Sequence, residues 1–124
     1  MPKRVLDVGN CDLDHGTLAG VLRERFSVDV VRCHTAAEAD KAVRTAVPFD
    51  LVILNRIFDR DGDEGIEWIR RLKADPALAA TPCLLLSNYA EYQAAATAAG
   101  AEPGFGKSQW HEPATQALLA KFLS

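Results

Sequence analysis

Short apolar runs and amphipathic segments alternate along this chain, five of each, in the order strand then helix. The strand-like runs cover residues 3–8, 28–33, 49–54, 82–86 and 102–106, and the helix-like segments cover residues 13–26, 35–46, 64–74, 89–99 and 114–122. This alternation predicts an α/β fold with a parallel sheet covered by helices on both faces. Right-handed crossovers then favour a single doubly wound, flavodoxin-like sheet of five strands in the order 2-1-3-4-5.

Local signals mark several boundaries of these elements. Residues 49–54 are almost all apolar and branched, which predicts a central strand. Thr35 and Glu38 have the spacing of a capping box at the start of the second helix, which we expect to run to Ala46. Gly100 is expected to end the fourth helix. The last strand contains a proline and two glycines, so we place it at a sheet edge.

Length and composition narrow the classes of protein to consider. A chain of 124 residues is the size of one domain, and we expect a single domain over residues 1–124. No apolar run approaches the roughly 20 residues that cross a bilayer. With a net charge of −3 and no basic patch interleaved with aromatic residues, we expect no nucleic-acid binding. The N-terminus is too polar for a secretory signal, which favours the cytoplasm.

The cysteines and histidines give no sign of a metal site or a disulfide framework. Cys11, Cys33 and Cys83 are widely spaced and form no Cys-x-x-Cys pair, so we expect buried free thiols. The three histidines are equally scattered. The acidic loop at residues 59–65 resembles the start of an EF-hand, but Glu64 stands where that loop needs glycine and Arg70 where it needs an acid. We therefore expect no calcium or other metal site.

Polar residues follow four of the predicted strands, where the carboxyl ends of a parallel sheet meet. Gly9 and Asn10 follow the first, Asn55 the third, Ser87 the fourth and Lys107 the fifth. Over essentially the whole chain, this spacing resembles the receiver domain of bacterial two-component response regulators. The resemblance implies a receiver-like fold and a role in phosphorelay signal transduction.

The same resemblance implies that the phosphorylation pocket is degenerate. In that family an acidic pair after the first strand binds Mg²⁺ and an aspartate after the third strand accepts phosphate, while a Ser or Thr and a Lys stabilise the phosphoryl group. Here Gly9 and Asn10 replace the acidic pair and Asn55 replaces the acceptor, so only Ser87 and Lys107 match. An amide is no substitute for a carboxylate nucleophile, and Mg²⁺ prefers anionic oxygen ligands. We therefore expect a pseudo-receiver that is not an enzyme, has no cofactor and binds Mg²⁺ weakly or not at all.

Nearby acids leave an alternative open. Asp7, Asp12 and Asp59 are possible pocket acids, and a displaced acid such as Asp59 or Asp7 could act with Mg²⁺ as the acceptor of a working receiver. For Asp12 we favour a helix N-cap, and for Asp7 an ion pair with Lys107. Small-molecule binding in the vacated pocket is a third possibility, although the chain lacks a phosphate-binding glycine motif.

Output of a stand-alone receiver passes through docking, and in receivers the face of the fourth helix, fifth strand and fifth helix commonly serves this purpose. In this chain the face would include Tyr89, Tyr92, Gln93 and Phe105, with Trp110 as an exposed anchor. We expect it to bind another signalling protein or a second copy of the chain. The first helix, used in receivers to dock histidine kinases, is the alternative surface.

Two aromatic positions bear on switching and packing. Gly104 stands where receivers carry the aromatic residue that moves on phosphorylation, and Phe105 follows it. A shift of one residue along a strand turns a ring to the opposite face, so we expect no such switch. Trp68 is expected to pack partly in the core. The predicted function is therefore a phosphorylation-independent protein-interaction module.

Overall fold

The computed structural model describes residues 2–44 and 48–124. The elements in chain order are β1 Arg4–Val8, α1 Asp12–Phe26, β2 Asp29–Cys33, α2 Ala36–Val43, β3 Leu51–Asn55, α3 Gly65–Ala74, β4 Cys83–Leu86, α4 Ala90–Ala98, β5 Glu102–Phe105 and α5 Pro113–Leu123. All ten predicted elements are present, with ends displaced by one or two residues. The predicted end of the second helix at Ala46 lies outside the described residues.

The five strands form one parallel sheet in the order β2-β1-β3-β4-β5, which confirms the predicted topology. Val8 pairs with Leu54, and Asn55 pairs with Leu86. This register aligns the carboxyl ends of the three central strands. The residues that follow these strands therefore lie side by side.

Apolar side chains alternate between the two faces of the sheet, as the period of a strand requires. Leu6 packs in a cluster with residues of α2, α3 and α4, whereas Val5 packs in a second cluster with residues of α1 and α5. Trp68 in the first cluster is only 2% exposed, and its indole N–H donates to Asp40 at 2.8 Å. Burial of Trp68 is thus deeper than the partial packing that the sequence predicts.

The predicted helix ends are largely confirmed. The Thr35 hydroxyl accepts a hydrogen bond from the Glu38 N–H at 3.1 Å, while the Glu38 carboxylate accepts one from the His34 N–H. These bonds stabilise the ionised form and lower the pKa of Glu38. Gly100 follows α4 with φ 111°. At the sheet edge, β5 pairs irregularly with β4. No helix in the described ranges is both long and apolar enough to cross a membrane.

Candidate functional site

A cleft at the carboxyl ends of the strands brings together three of the residues singled out in the sequence. Asn55 follows β3 into the cleft, Ser87 follows β4 and Lys107 follows β5. The cleft has a volume of about 250 Å³ and is lined by Asn55, Arg56, Ile57, Leu86, Ser87, Asn88, Tyr89 and Lys107. Gly9 and Asn10 are not among the lining residues.

Asn55 acts here as a hydrogen-bond donor to the backbone. Its Nδ2 donates to the carbonyl oxygens of Ile57 at 2.8 Å and Gly9 at 3.2 Å. A carboxylate has no proton to donate, so an ionised aspartate in this position would place negative charge against two carbonyl oxygens. The amide of Asn55 therefore fits this backbone, and a carboxylate does not.

Gly9 lies against Phe58, a residue whose role the sequence alone did not reveal. A Cβ atom at Gly9 would lie 2.4 Å from Phe58 Cδ1 and 2.7 Å from Phe58 Cα, and Gly9 has a left-handed φ of 76°. Phe58 is 1% exposed, and the next residue donates its N–H to the Gly9 carbonyl at 3.0 Å. The loop after β3 thus fills the space in which an acidic side chain at position 9 would stand.

Asp7 is fully buried and has two partners. Its carboxylate accepts a hydrogen bond from Asn10 Nδ2 at 2.6 Å and contacts His15 Nδ1 at 2.5 Å. Lys107 instead pairs with Asp14 of α1 at 2.8 Å. The predicted pair between Asp7 and Lys107 is wrong, because α1 presents a separate partner to each of them.

The start of α1 also differs from expectation. Cys11, not Asp12, is the N-cap, and Cys11 makes no side-chain capping bond. The Asp12 carboxylate pairs with Arg32 Nη2 at 2.8 Å, and this hydrogen bond lowers the pKa of Asp12. Cys11 is exposed, which corrects the expected burial, because it precedes the helix. Cys33 and Cys83 are buried as predicted.

The third possible pocket acid, Asp59, is held away from the cleft lining. Its carboxylate contacts His34 Nδ1 at 3.1 Å, and Asp61 accepts a hydrogen bond from the Ala36 N–H at the start of α2. The acidic loop is therefore tied to the end of β2 and to α2. Within residues 2–44 and 48–124, no group of three or more His, Cys, Asp or Glu side chains is arranged to hold a metal ion.

The aromatic residues expected at a partner surface separate into two groups. Phe105 and Trp110 are 5% and 4% exposed and pack edge to face with ring centroids 4.7 Å apart. Their expected exposure is wrong, because both rings enter the core beneath α1 and α5. Tyr89 is 60% exposed and contacts Tyr92 edge to face, while the Arg56 guanidinium lies 4.3 Å above the Tyr92 ring.

Gln93 holds α4 to the last two strands. Its Nε2 donates to the carbonyl oxygens of Leu85 at 2.8 Å and Ser87 at 3.1 Å, and its Oε1 accepts the Gly104 N–H at 3.1 Å. A Cβ at Gly104 would lie 2.1 Å from the Leu85 oxygen and 2.6 Å from Gln93 Oε1. The Gln93 amide thus leaves no room for a side chain at position 104.

Comparison with known proteins bears on the fold. No family model and no curated protein matches the chain. Among solved structures, a candidate response regulator from Chloroflexus aurantiacus superposes with a TM-score of 0.83 at 24% identity, covering 98% of this chain and 96% of that chain. The chain has the receiver fold. The phosphorylated cyanobacterial phytochrome response regulator RcpA matches at 19% identity and TM-score 0.75, covering 100% and 96% of the two chains.

A third receiver, the chemotaxis response regulator CheY4 of Vibrio cholerae, matches at 19% identity and TM-score 0.74 over 100% of both chains. At these identities the comparison establishes the fold. The chemistry has to be argued from the residues of this chain.

Proposed function

We propose that this chain is a receiver-like protein-interaction module of two-component signalling whose output does not depend on aspartyl phosphorylation. In this proposal it is not an enzyme and needs no cofactor. Its surface is presented in one state to another signalling protein or to a second copy of the chain.

The observation that carries the proposal is the bonding of Asn55. Formation of an acyl phosphate requires an ionised carboxylate as nucleophile. At this position the chain has an amide whose Nδ2 donates to the Gly9 and Ile57 carbonyls. The two bonds give the amide a structural role of its own, which supports a loss of acceptor chemistry.

The surroundings of Gly9 support the absence of a Mg²⁺ site. Magnesium binds through anionic oxygen ligands in octahedral geometry. Phe58 occupies the space beside Gly9, and the nearby Asp7 is already engaged by His15 and Asn10. The same contacts count against the alternative of a displaced acceptor, as does the contact of Asp59 with His34.

The Gln93 amide supports a fixed signalling face. It connects α4 to the backbones of β4 and β5, and a helix held by several hydrogen bonds moves only if they are exchanged for others. We infer that α4 and β5 keep one relative arrangement. A partner would then recognise a permanent surface.

We place the partner contact at the start of α4. Tyr89 and Tyr92 form an aromatic pair there, and exposed tyrosines are frequent anchors of protein interfaces. Self-association through α4, β5 and α5 would use the same surface. Sedimentation velocity on the native chain and on Tyr89→Ser tests this arm, since a dimer formed there should weaken in the variant.

Treatment with acetyl phosphate and Mg²⁺, followed by intact-mass measurement, tests the proposed function. A receiver domain with an acceptor aspartate is the positive control. We expect a phosphoryl adduct on the control and none on this chain. An adduct on this chain would establish a displaced acceptor, and peptide mapping after hydroxylamine cleavage would locate it.

A further inference from the structure

The cleft at the carboxyl ends of the strands is electropositive in an acidic protein. The chain has a net charge of −3, yet the eight lining residues include two cations, Arg56 and Lys107, and no acid. Four of the other lining side chains carry polar groups: Asn55, Ser87, Asn88 and Tyr89. Such a surface attracts an anionic ligand and repels a cationic one.

Arg56 is the cation best placed to serve a ligand. Its guanidinium is stacked on the Tyr92 ring at 4.3 Å, which fixes its plane while leaving its N–H edge for hydrogen bonding. No carboxylate in residues 2–44 or 48–124 forms an ion pair with it. Arginine in a fixed orientation is well suited to bidentate recognition of phosphate oxygens.

The opposite wall supplies further donors. Lys107 contacts Asp14 at 2.8 Å, which engages one face of an ammonium group that has three protons to donate. Ser87 is 7% exposed, and its hydroxyl accepts the Tyr89 N–H at 3.3 Å. No acceptor for the hydroxyl proton of Ser87 is found among the described residues, so this proton can be donated into the cleft.

We propose that this cleft binds a phosphate group reversibly and without covalent bond formation, as a phosphomonoester whose organic part lies against Tyr89. Two cations balance a dianionic phosphate, whereas a carboxylate would balance only one. Tyr89 is 60% exposed beside the cleft and offers an aromatic surface to the organic part. The inference deepens the proposed function, because it assigns a ligand to a pocket that no longer carries the acceptor acid.

Amide NMR titrations in EDTA at constant ionic strength test the proposal. The probes are phenyl phosphate, inorganic phosphate and benzoate, which separate an ester, free phosphate and a carboxylate. We expect saturable shifts of the Ser87, Asn88 and Lys107 amides, with phenyl phosphate binding most tightly. Preference for inorganic phosphate over the ester, or for benzoate over both, would overturn the assignment.

Matched variants locate the site. Arg56→Gln should weaken phenyl phosphate by about tenfold, as expected for loss of a charged hydrogen-bond donor. Arg60→Gln removes the same charge from the exposed loop outside the cleft and should leave the affinity within about twofold. Tyr89→Ala should weaken phenyl phosphate and leave inorganic phosphate unchanged, which tests the site in a protein with Arg56 intact.

The proposal is wrong if phenyl phosphate gives no saturable shifts, or if Arg56→Gln and Arg60→Gln weaken it equally. An effect of Tyr89→Ala on neither phosphate ligand would also overturn the placement of the organic part. A covalent phosphoryl adduct in the acetyl phosphate experiment would refute the proposed function instead. Reversal of the NMR shifts on dialysis separates the two cases.

Discussion

Substitution of Gly9 by alanine measures how completely Phe58 closes the former metal position. A residue other than glycine at φ 76° costs about 1–2 kcal/mol. The new Cβ would also lie 2.4 Å from Phe58 Cδ1 and 2.7 Å from Phe58 Cα, and overpacking of this kind costs about 1–3 kcal/mol. We therefore expect Gly9→Ala to lower the free energy of unfolding by about 2–5 kcal/mol.

Gly62→Ala is the matched control for this measurement. Gly62 has a φ of 71°, but a Cβ there would meet no atom within 4 Å, so only the backbone term applies. Urea unfolding followed by tryptophan fluorescence gives both free energies, since Trp68 and Trp110 are buried. Gly9→Ala should be the less stable variant by about 1–3 kcal/mol. Equal stabilities would refute the claim that Phe58 fills this space.

Three further predictions concern packing and reactivity. Gln93→Met keeps the length of the side chain but removes its hydrogen bonds, so amide hydrogen exchange at Gly104 should accelerate; unchanged exchange there would contradict a bond that holds α4 in place. Trp110→Ala should lower the free energy of unfolding by about 3–5 kcal/mol, whereas native-like stability would mean that the ring is a surface anchor after all. Burial raises the pKa of Cys33 and Cys83 to about 11, so at about pH 8 both should resist alkylation while the exposed cysteine reacts, and their thiolate fraction should grow only as the pH rises; equal rates at all three thiols would contradict this burial.

The sequence predicts the fold because its signals are local and agree with one another. The branched apolar run before Asn55 predicts a buried parallel strand, and the capping residue Thr35 marks the start of a helix. Strand order then follows from the few crossovers that a short βα chain permits. The same order brings Asn55, Ser87 and Lys107 to one cleft.

Partners of individual side chains could not be predicted in the same way. Asp7 pairs with His15 because α1 packs over β1 at a rotation that its weak amphipathic pattern does not fix. Burial of Trp110 depends on the path of the chain after β5, a segment without periodicity. Phe58 lies in a loop whose extra length was visible, but loop length alone does not indicate which residue turns inward.

Amide NMR spectra of the native chain, recorded on addition of Mg²⁺ and then beryllofluoride, test the central claim most directly. A receiver with its acceptor aspartate binds Mg²⁺ and then the phosphoryl mimic. Because Asn55 bonds to backbone carbonyls and Phe58 fills the space at Gly9, we predict that no cleft amide shows a saturable, Mg²⁺-dependent shift. Saturable shifts that require Mg²⁺ would mean that a displaced acid works, and phosphorylation-independent signalling would be contradicted.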